Sequence, residues 1–328
     1  MKILVTGATG FLGGALVRKL HTLGYDVLAT GRNLSKGRDL TQEGITFAPA
    51  DLTSSKQVET CCVGIDVVIH SGAYSSLWGK REEFWNVNVN GTRNIVEGVL
   101  RQNVKRLIHI SSPSIYFSFL DREDIHEDAP LPKKFINGYT ASKYASEEEI
   151  QVGVSKGLEA LILRPRAIYG PGDQSIFPRI VRTIESGRLR IIGNGNNKVD
   201  LTYIDNAVDA CICAIHAPIQ QSGRTYNITD GTPALLWPLL NEISLALGYP
   251  PPKNKIPLWI AKNLARGLEI VHRKCFPHKE PLFTAYSIGL LACSTTLNID
   301  RARKELGYLP KISSHEGVEL FLDWWKQQ

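Results

Sequence analysis

Residues Met1–Gly14 read MKILVTGATGFLGG, and this stretch decides the fold. A short apolar run, ILV, ends at Gly7, and a helical pattern begins at Phe11. This order predicts a buried parallel strand, a glycine turn and a helix start. Glycines suit such a turn because a pyrophosphate can then approach the backbone and the helix N-terminus closely. The spacing Gly7-x-x-Gly10-x-x-Gly13 therefore predicts a dinucleotide site, and the alternative is a structural turn without a ligand.

Strands and helices alternate through the first half of the 328 residues. Strands are predicted at 26–30, 46–49, 66–70, 106–111 and 158–163, and helices at 82–103 and 139–156. Such alternation predicts an α/β fold with a Rossmann-type, doubly wound parallel sheet. We expect an NAD(P)-binding domain over 1–170, which also receives 200–228, and a smaller, mostly helical substrate-binding region over 171–328.

Bulk properties indicate an enzyme of the cytoplasm rather than a nucleic-acid or membrane protein. The formal charge is +6, yet no Lys/Arg-rich run accompanies it, so no nucleic-acid partner is expected. The six cysteines contain no C-x-x-C, and Cys61 and Cys62 are adjacent, which favours reduced thiols over disulfides. No run approaches the ~20 apolar residues of a membrane span. No metal site is predicted, and a homodimer is compatible with the sequence.

Tyr139 and Lys143 form the second informative pattern. Four residues apart on a predicted helix, they project to the same side. A cation next to a phenol lowers the phenol pKa from its usual ~10. The phenol can then exchange a proton with a carbonyl or alcohol oxygen while a hydride moves to or from nicotinamide. The alternative is an ordinary exposed helix pair.

The stretch His109–Tyr116, HISSPSIY, completes this pattern. Together with the glycine turn, it resembles the extended short-chain dehydrogenase/reductase family. The resemblance implies that Ser112 hydrogen-bonds the substrate oxygen, that Tyr139 is the acid/base, and that Lys143 assists it and holds the nicotinamide ribose. Ser111 and Ser114 are the neighbouring alternatives to Ser112.

The resemblance reaches almost to the C-terminus and is greatest for 3β-hydroxysteroid dehydrogenases, sterol-4α-carboxylate 3-dehydrogenases and 2-alkyl-3-oxoalkanoate reductases. It implies a set of cofactor contacts along the carboxyl ends of the strands. Those residues are Gly7, Thr9, Gly10, Phe11, Leu12, Gly13, Arg32, Asp51, Leu52, Ser71, Gly72, Ala73, Asn88, Tyr139, Lys143, Pro165 and Ile168.

The cofactor preference is predicted from Thr30-Gly31-Arg32-Asn33. An NAD-specific site usually has Asp or Glu at this place, where it binds the ribose hydroxyls. Here no carboxylate would repel a 2′-phosphate, and Arg32 offers that phosphate a bidentate partner. NADP(H) is therefore preferred; alternatively, Arg32 only stacks on adenine and NAD(H) also binds.

Two departures from the family's patterns narrow the chemistry. Nucleotide-sugar enzymes of the family often have an arginine that clamps a diphosphate where this chain has Val199. Dehydratases place an acid and a base directly after the catalytic Ser/Thr, whereas Pro113 and Ser114 follow here. Both departures disfavour a nucleotide-sugar epimerase or dehydratase. The intact Ser112, Tyr139 and Lys143 disfavour a non-catalytic NADP-sensing regulator.

The substrate is predicted to be a small, largely apolar molecule, 3-oxoacyl or steroid-like. Residues 256–271 form an amphipathic helix that covers the substrate, contacts a membrane surface weakly, or simply packs against the protein. Tyr74 and Trp78 are predicted to line the substrate pocket with Ser112, although Trp78 also fits a core position. Arg166 either recognises a substrate carboxylate or pairs with an acid of this chain. The sequence thus predicts an NADP(H)-dependent oxidoreductase that interconverts a ketone and a secondary alcohol.

Overall fold

A seven-stranded parallel sheet forms the centre of the computed structural model, which describes residues 1–328. In chain order the strands are β1 (Lys2–Thr6), β2 (Asp26–Gly31), β3 (Thr46–Pro49), β4 (Val67–His70), β5 (Arg106–Ile110), β6 (Arg122–Ile125), β7 (Ala160–Pro165), β8 (Ile168–Tyr169), β9 (Ile191–Ile192), β10 (Lys198–Val199), β11 (Thr202–Tyr203), β12 (Thr225–Ile228), β13 (Ala234–Leu235), β14 (Lys255–Ile256) and β15 (Thr295–Leu297). The large sheet has the order β12-β7-β5-β4-β1-β2-β3 with parallel neighbours throughout. The predicted Rossmann-type sheet is confirmed.

Helices connect these strands and build most of the C-terminal third. They are α1 (Phe11–Thr22), α2 (Leu34–Gln42), α3 (Ser55–Cys62), α4 (Arg81–Phe84), α5 (Gly91–Arg101), α6 (Gly138–Ser155), α7 (Phe177–Glu185), α8 (Ile204–Ile215), α9 (Leu236–Ala246), α10 (Leu258–Cys275), α11 (Ala285–Ala292) and α12 (Ser314–Trp325). The predicted helix 82–103 consists of α4, a π-helical segment Trp85–Asn90 and α5. None of the helices combines the length and the apolarity needed to cross a bilayer.

Side chains of β1 alternate between two cores, one on each face of the sheet. Ile3 and Val5 belong to the core that α1 and α8 cover, whereas Leu4 belongs to the core under α3, α5 and α6. All three side chains are fully buried. A strand that is buried on both faces has a continuous apolar sequence, and residues 3–5 form such a run.

The chain returns to the large sheet after β7. β12 pairs in parallel with β7, Thr225 opposite Ile162, and α8 packs against α1. The remaining short strands form small sheets, the largest in the order β13-β10-β15-β6. Helices α7 and α9–α12 surround these small sheets on the side where the parallel strands end.

The order of the large sheet reverses between β1 and β4. The chain runs outward from β1 to β2 and β3 on one side and from β4 through β5 and β7 on the other. In such sheets, ligands bind beyond the carboxyl ends of the strands at this reversal. Thr6, His70, Ile110 and Pro165 end their strands at this edge.

Candidate active site

The glycine turn after β1 is shaped by close approaches of the backbone. Gly7 has φ of +68°, and an ideal Cβ there would lie 2.7 Å from Gly72 Cα. A Cβ at Gly13 would lie 2.2 Å from the Gly7 carbonyl oxygen. Gly10 precedes α1 and places no side chain on the first N–H groups of that helix. These free N–H groups, with the positive end of the helix dipole, fit the pyrophosphate of a dinucleotide.

One cavity of about 1690 Å³ extends from this turn to α10. Of the residues predicted to contact the cofactor, those that line the cavity are Gly7, Thr9, Gly10, Phe11, Leu12, Gly13, Arg32, Asp51, Leu52, Ser71, Gly72, Ala73, Tyr139, Lys143, Pro165 and Ile168. Residues from the ends of five different strands thus meet on one surface, as a dinucleotide lying across the sheet edge requires.

Arg32 lines the cavity just after β2. Its side chain is exposed and forms no ion pair. Asp51 lies nearby; hydrogen bonds from the Thr53 backbone N–H and hydroxyl lower the Asp51 pKa, and Arg32 contributes to the same shift. An exposed guanidinium without a partner is free to bind a phosphate.

Asn88, also predicted to contact the cofactor, lies outside the lining of this cavity. Its side chain is buried, and its Oδ1 accepts a hydrogen bond from the Tyr74 backbone N–H at 2.7 Å. Its Nδ2 donates to Ser142 Oγ at 2.8 Å. Asn88 therefore ties the loop after β4 to α6, and all of its amide groups are used inside the protein.

Tyr74 and Trp78, which were predicted to line the substrate pocket, also lie outside the lining of this cavity. The Tyr74 ring packs on Phe84, with ring centroids 4.9 Å apart. Trp78 is buried, and its Nε1 donates to the Pro277 carbonyl at 3.1 Å. Apolar packing turns both rings inward, and the residues between them, Ser75, Ser76 and Leu77, line the cavity instead.

Ser112, Tyr139 and Lys143 meet in the middle of the cavity. Ser112 lies just beyond β5 and precedes a short 3₁₀ turn, where its Oγ accepts from the Ser114 N–H at 3.2 Å. Tyr139 and Lys143 lie one turn apart at the start of α6. Lys143 is buried, and its Nζ donates to the Ile110 carbonyl at 2.7 Å. All three line the cavity.

The two neighbouring serines have different surroundings. The Ser111 hydroxyl donates to the Glu147 carboxylate, which also pairs with Arg164 in the interior. The Ser114 hydroxyl is buried, has no hydrogen-bond partner and does not line the cavity. Ser112 is the serine whose hydroxyl lies beside the Tyr139 phenol.

Burial controls the protonation of the two ionisable groups. It raises the pKa of Tyr139 to about 12, although the neighbouring Ser112 hydroxyl acts in the opposite direction. It also lowers the pKa of Lys143 to about 8, against the attraction of Glu147. The lowered Tyr139 pKa expected from the Lys143 charge is not found, because burial dominates and Lys143 bonds to Ile110. At neutral pH the site therefore holds a protonated phenol beside an ammonium group.

Arg166 lies in the same cavity and has no acidic partner. The residue is 8% exposed, its side chain forms no ion pair, and Nε is buried and unpaired. Tyr286 of α11 lies beside it. Burial raises the pKa of Tyr286, and the positive charge of Arg166 partly offsets this increase. Burial also raises the pKa of Asp200 to about 6, although the positive charge of Arg166 acts to lower it.

Sequence reasoning did not single out Tyr286 or Asp200 as site residues. Both line the cavity with Arg166. They come from α11 and from the segment after β10, far from Arg166 in the chain, so no spacing within the sequence connects them. The only local signal for Tyr286 is the apolar composition of residues 281–292 around it.

Apolar side chains form the wall of the cavity beyond Tyr139. They come from α7, α9, α10 and α11, and include Ile180, Leu239, Ile243, Leu264, Leu268 and Leu291. Val199 belongs to this wall and is 5% exposed. The site therefore combines the Ser112 hydroxyl, the Tyr139 phenol and the Arg166 guanidinium with these apolar side chains. Further charged residues also line the cavity, namely Arg179, Arg182, Arg188, Arg190, Asp200 and Glu280.

Comparisons with known proteins show the family of the chain. The family model described as NAD dependent epimerase/dehydratase family matches residues 3–229. The chain is 34% identical to a 2-alkyl-3-oxoalkanoate reductase of Stenotrophomonas maltophilia, covering 97% of each protein. It is 31% identical to the human sterol-4-alpha-carboxylate 3-dehydrogenase, covering 96% of this chain and 86% of the relative.

Solved structures have the same fold. A UDP-glucuronic acid 4-epimerase from Bacillus cereus, in complex with NAD, superposes with a TM-score of 0.75 and 25% identity, covering 100% of this chain and 99% of the epimerase. The relatives are named as dehydrogenases and reductases. The chain is therefore an enzyme of the NAD dependent epimerase/dehydratase family, the extended short-chain dehydrogenase/reductases.

Proposed function

We propose that this enzyme is an NADP(H)-dependent oxidoreductase that interconverts a 3-oxo acid and the corresponding 3-hydroxy acid. Ser112, Tyr139 and Lys143 carry the reaction at the ketone or alcohol. Arg166 binds the substrate carboxylate, and the apolar wall takes the rest of the molecule. The names of two relatives, an alkanoate reductase and a sterol carboxylate dehydrogenase, describe substrates with this combination of groups.

The unpaired Arg166 side chain is the observation that carries the proposal. A buried guanidinium without a counter-charge is destabilising by several kcal/mol. An anion within the cavity would remove this cost and form charge-assisted, bidentate hydrogen bonds. Asp200 acts on Arg166 electrostatically but forms no ion pair with it, and its pKa of about 6 means that this opposing charge is lost as the pH falls below 6. An anionic ligand is therefore a better partner for Arg166 than an acid of the chain.

The chemistry at the ketone follows from the protonation of the site. A bound nicotinamide dinucleotide supplies the hydride for the carbonyl carbon and accepts it back in the reverse direction. Tyr139, protonated at neutral pH, donates its hydroxyl proton to the carbonyl oxygen and recovers one from water after the reaction. Ser112 donates a hydrogen bond to the same oxygen. In alcohol oxidation each proton moves in the opposite direction.

Lys143 acts through charge. Its ammonium, fixed by the Ile110 carbonyl, stabilises the phenolate that Tyr139 becomes once it has given up its proton. It also has two further N–H donors, which are available to the hydroxyls of the nicotinamide ribose. When the cofactor is bound, Gly7, Gly10 and Gly13 would let its pyrophosphate approach the start of α1, and Arg32 would pair with the 2′-phosphate of NADP(H).

Nucleotide-sugar epimerases share the fold, but the residue at position 199 argues against their substrates. Val199 is buried and apolar, and it offers no charge to a diphosphate. A regulator that only senses NADP(H) would have no use for Ser112, Tyr139 and Lys143 grouped in one cavity. We therefore keep the oxidoreductase as the single proposal.

The test is NADPH oxidation with a 3-oxo acid, its neutral methyl ketone of equal chain length, and UDP-glucose. We expect turnover with the 3-oxo acid at a lower KM than with the methyl ketone, and none with UDP-glucose. Arg166→Met should raise KM for the 3-oxo acid about tenfold or more, as expected for a lost charge-assisted contact, and leave the methyl ketone unaffected. Arg166→Lys, which keeps the charge, should retain part of the preference. Equal losses on both substrates would make Arg166 structural.

A further inference from the structure

Helix α10 leaves most of its apolar side chains in solvent. Only Ala261 and Ala265 are buried in this 18-residue helix. Trp259 is 68% exposed, Leu264 67% and Ile270 57%. The apolar surface continues past the helix end in Phe276, Leu282 and Phe283. An exposed apolar surface of this extent on one segment indicates an interaction site.

The same segment is basic. The helix contains Lys262, Arg266, Arg273 and Lys274 but a single acid, Glu269, whose Oε1 accepts from the Ala285 N–H. Arg266 and Lys274 are exposed and form no ion pair. Helix α7 and the loop after it add Arg182 and Arg188, which line the same cavity and are also exposed and unpaired. The surface therefore favours an anionic partner.

The exposed surface is continuous with the cavity. Leu264, Leu268, Leu282 and Phe283, which we call the cavity rim, line the cavity, and three of them reach solvent. Trp259, Ile270 and Phe276 do not line the cavity, so a ligand bound inside it would leave them uncovered. A partner that covers these residues must lie outside the protein and across the opening.

We propose that α10 and residues 276–283 dock on the surface of an anionic lipid bilayer. The apolar side chains would enter the boundary between headgroups and acyl chains, while Arg266, Lys274, Arg182 and Arg188 meet the anionic headgroups. A second copy of the chain is a poorer partner, since a two-fold contact through α10 would bring like charges together. Docked in this way, the cavity rim faces the lipid, and an apolar substrate enters without crossing water.

The experiment is flotation of the full-length protein with vesicles. One set of vesicles is phosphatidylcholine alone, and the other is equal parts phosphatidylcholine and phosphatidylglycerol. We expect binding to the anionic vesicles that weakens as salt is added, and little binding to phosphatidylcholine. Trp259→Ser with Ile270→Ser should lower the affinity about tenfold or more, because two inserting side chains are lost. Arg266→Glu with Lys274→Glu should also lower the affinity for anionic vesicles, because the two positive charges that attract the headgroups become negative.

The controls are equally exposed residues elsewhere. Leu309→Ser with Ile219→Ser, at 68% and 64% exposure, and Lys326→Glu should leave vesicle binding unchanged. Turnover of a water-soluble substrate should be the same in all these variants. Equal binding of wild type and the α10 variants would overturn the proposal. So would a wild-type dimer in solution that the α10 variants convert to a monomer, which would make this surface an interface between copies.

Discussion

At the scale of single residues, the phenol of Tyr139 has an environment that decides its role. Its ring packs edge-on against Phe84, with centroids 6.4 Å apart, and burial keeps the hydroxyl protonated. The hydroxyl, not the ring, is the group that our mechanism uses. Removing it should therefore affect the chemical step and leave packing and cofactor binding in place.

We predict that Tyr139→Phe lowers kcat by about 10²–10⁴-fold, the usual effect of losing a general acid. The dissociation constant for NADPH should change little, because the ring still fills its place. Both quantities are measured by steady-state kinetics and fluorescence titration. Tyr144→Phe is the matched control, since Tyr144 lies on α6 but not at the cavity. Near-normal turnover in Tyr139→Phe would refute the mechanism.

Asp200 gives a prediction for pH dependence. Its pKa is raised to about 6, so it is ionised at pH 7 and protonated below about pH 6. When ionised it offsets the charge of Arg166, and when protonated it does not. A substrate carboxylate, with a pKa of about 3.5, stays ionised throughout this range. KM for a 3-oxo acid should therefore fall as pH falls from 7 to 5.5.

Asp200→Asn isolates this effect. The Leu297 N–H donates a hydrogen bond to Asp200 Oδ2 at 2.6 Å. The side-chain oxygen of an asparagine at this position can still accept that bond. The variant should have the low KM at every pH and no change between pH 7 and 5.5. If its KM followed pH as in the wild type, another group would be responsible.

At the scale of elements, the packing of α1 on β1 depends on one of two adjacent glycines. A Cβ at Gly13 would lie 2.2 Å from the Gly7 carbonyl oxygen, which forces the helix away from the turn. A Cβ at Gly14 would lie 3.4 Å from the Ala8 carbonyl oxygen, an ordinary contact. The two positions should therefore respond to alanine with opposite signs.

We predict that Gly13→Ala destabilises the fold by about 1–3 kcal/mol, the usual effect of overpacking, and weakens cofactor binding. Gly14→Ala should stabilise it by about 0.5–1 kcal/mol, because alanine is the better residue inside a helix. Thermal and denaturant unfolding measure both. A lower stability in Gly14→Ala than in Gly13→Ala would contradict the structure of this turn.

At the scale of the whole molecule, the cofactor site joins the ends of five strands, so binding should stabilise the entire fold. A ligand that binds only the folded protein adds about 2.7 kcal/mol at about 100 times its Kd. NADPH should therefore raise Tm more than NADH at equal concentration. Arg32→Ala should remove the difference, because only the 2′-phosphate distinguishes the two cofactors. Lys36→Ala, on the neighbouring exposed surface, is the control, and a larger shift with NADH in wild type would overturn the preference.

Much of this architecture could be predicted from local patterns. The strand, glycine turn and helix of residues 1–22 lie together in sequence, and their periodicity is a property of short segments. The five further strands appear within two residues of their predicted bounds. Parallel strands end at one edge, so the residues that follow β1, β4 and β5 were expected to meet. Tyr139 and Lys143 are four residues apart, so predicting that they lie on the same side required only that this segment form a helix.

Local patterns in the sequence were therefore enough to predict six of the seven strands of the large sheet and the family of the enzyme, because periodicity and short motifs encode both. Tertiary structure alone decided what each side chain meets. It turned Asn88, Tyr74 and Trp78 away from the cavity, raised the Tyr139 pKa by burial, and brought Arg166 beside Asp200 and Tyr286. Burial and contacts between distant segments follow from how the elements pack, and no spacing along the chain records them.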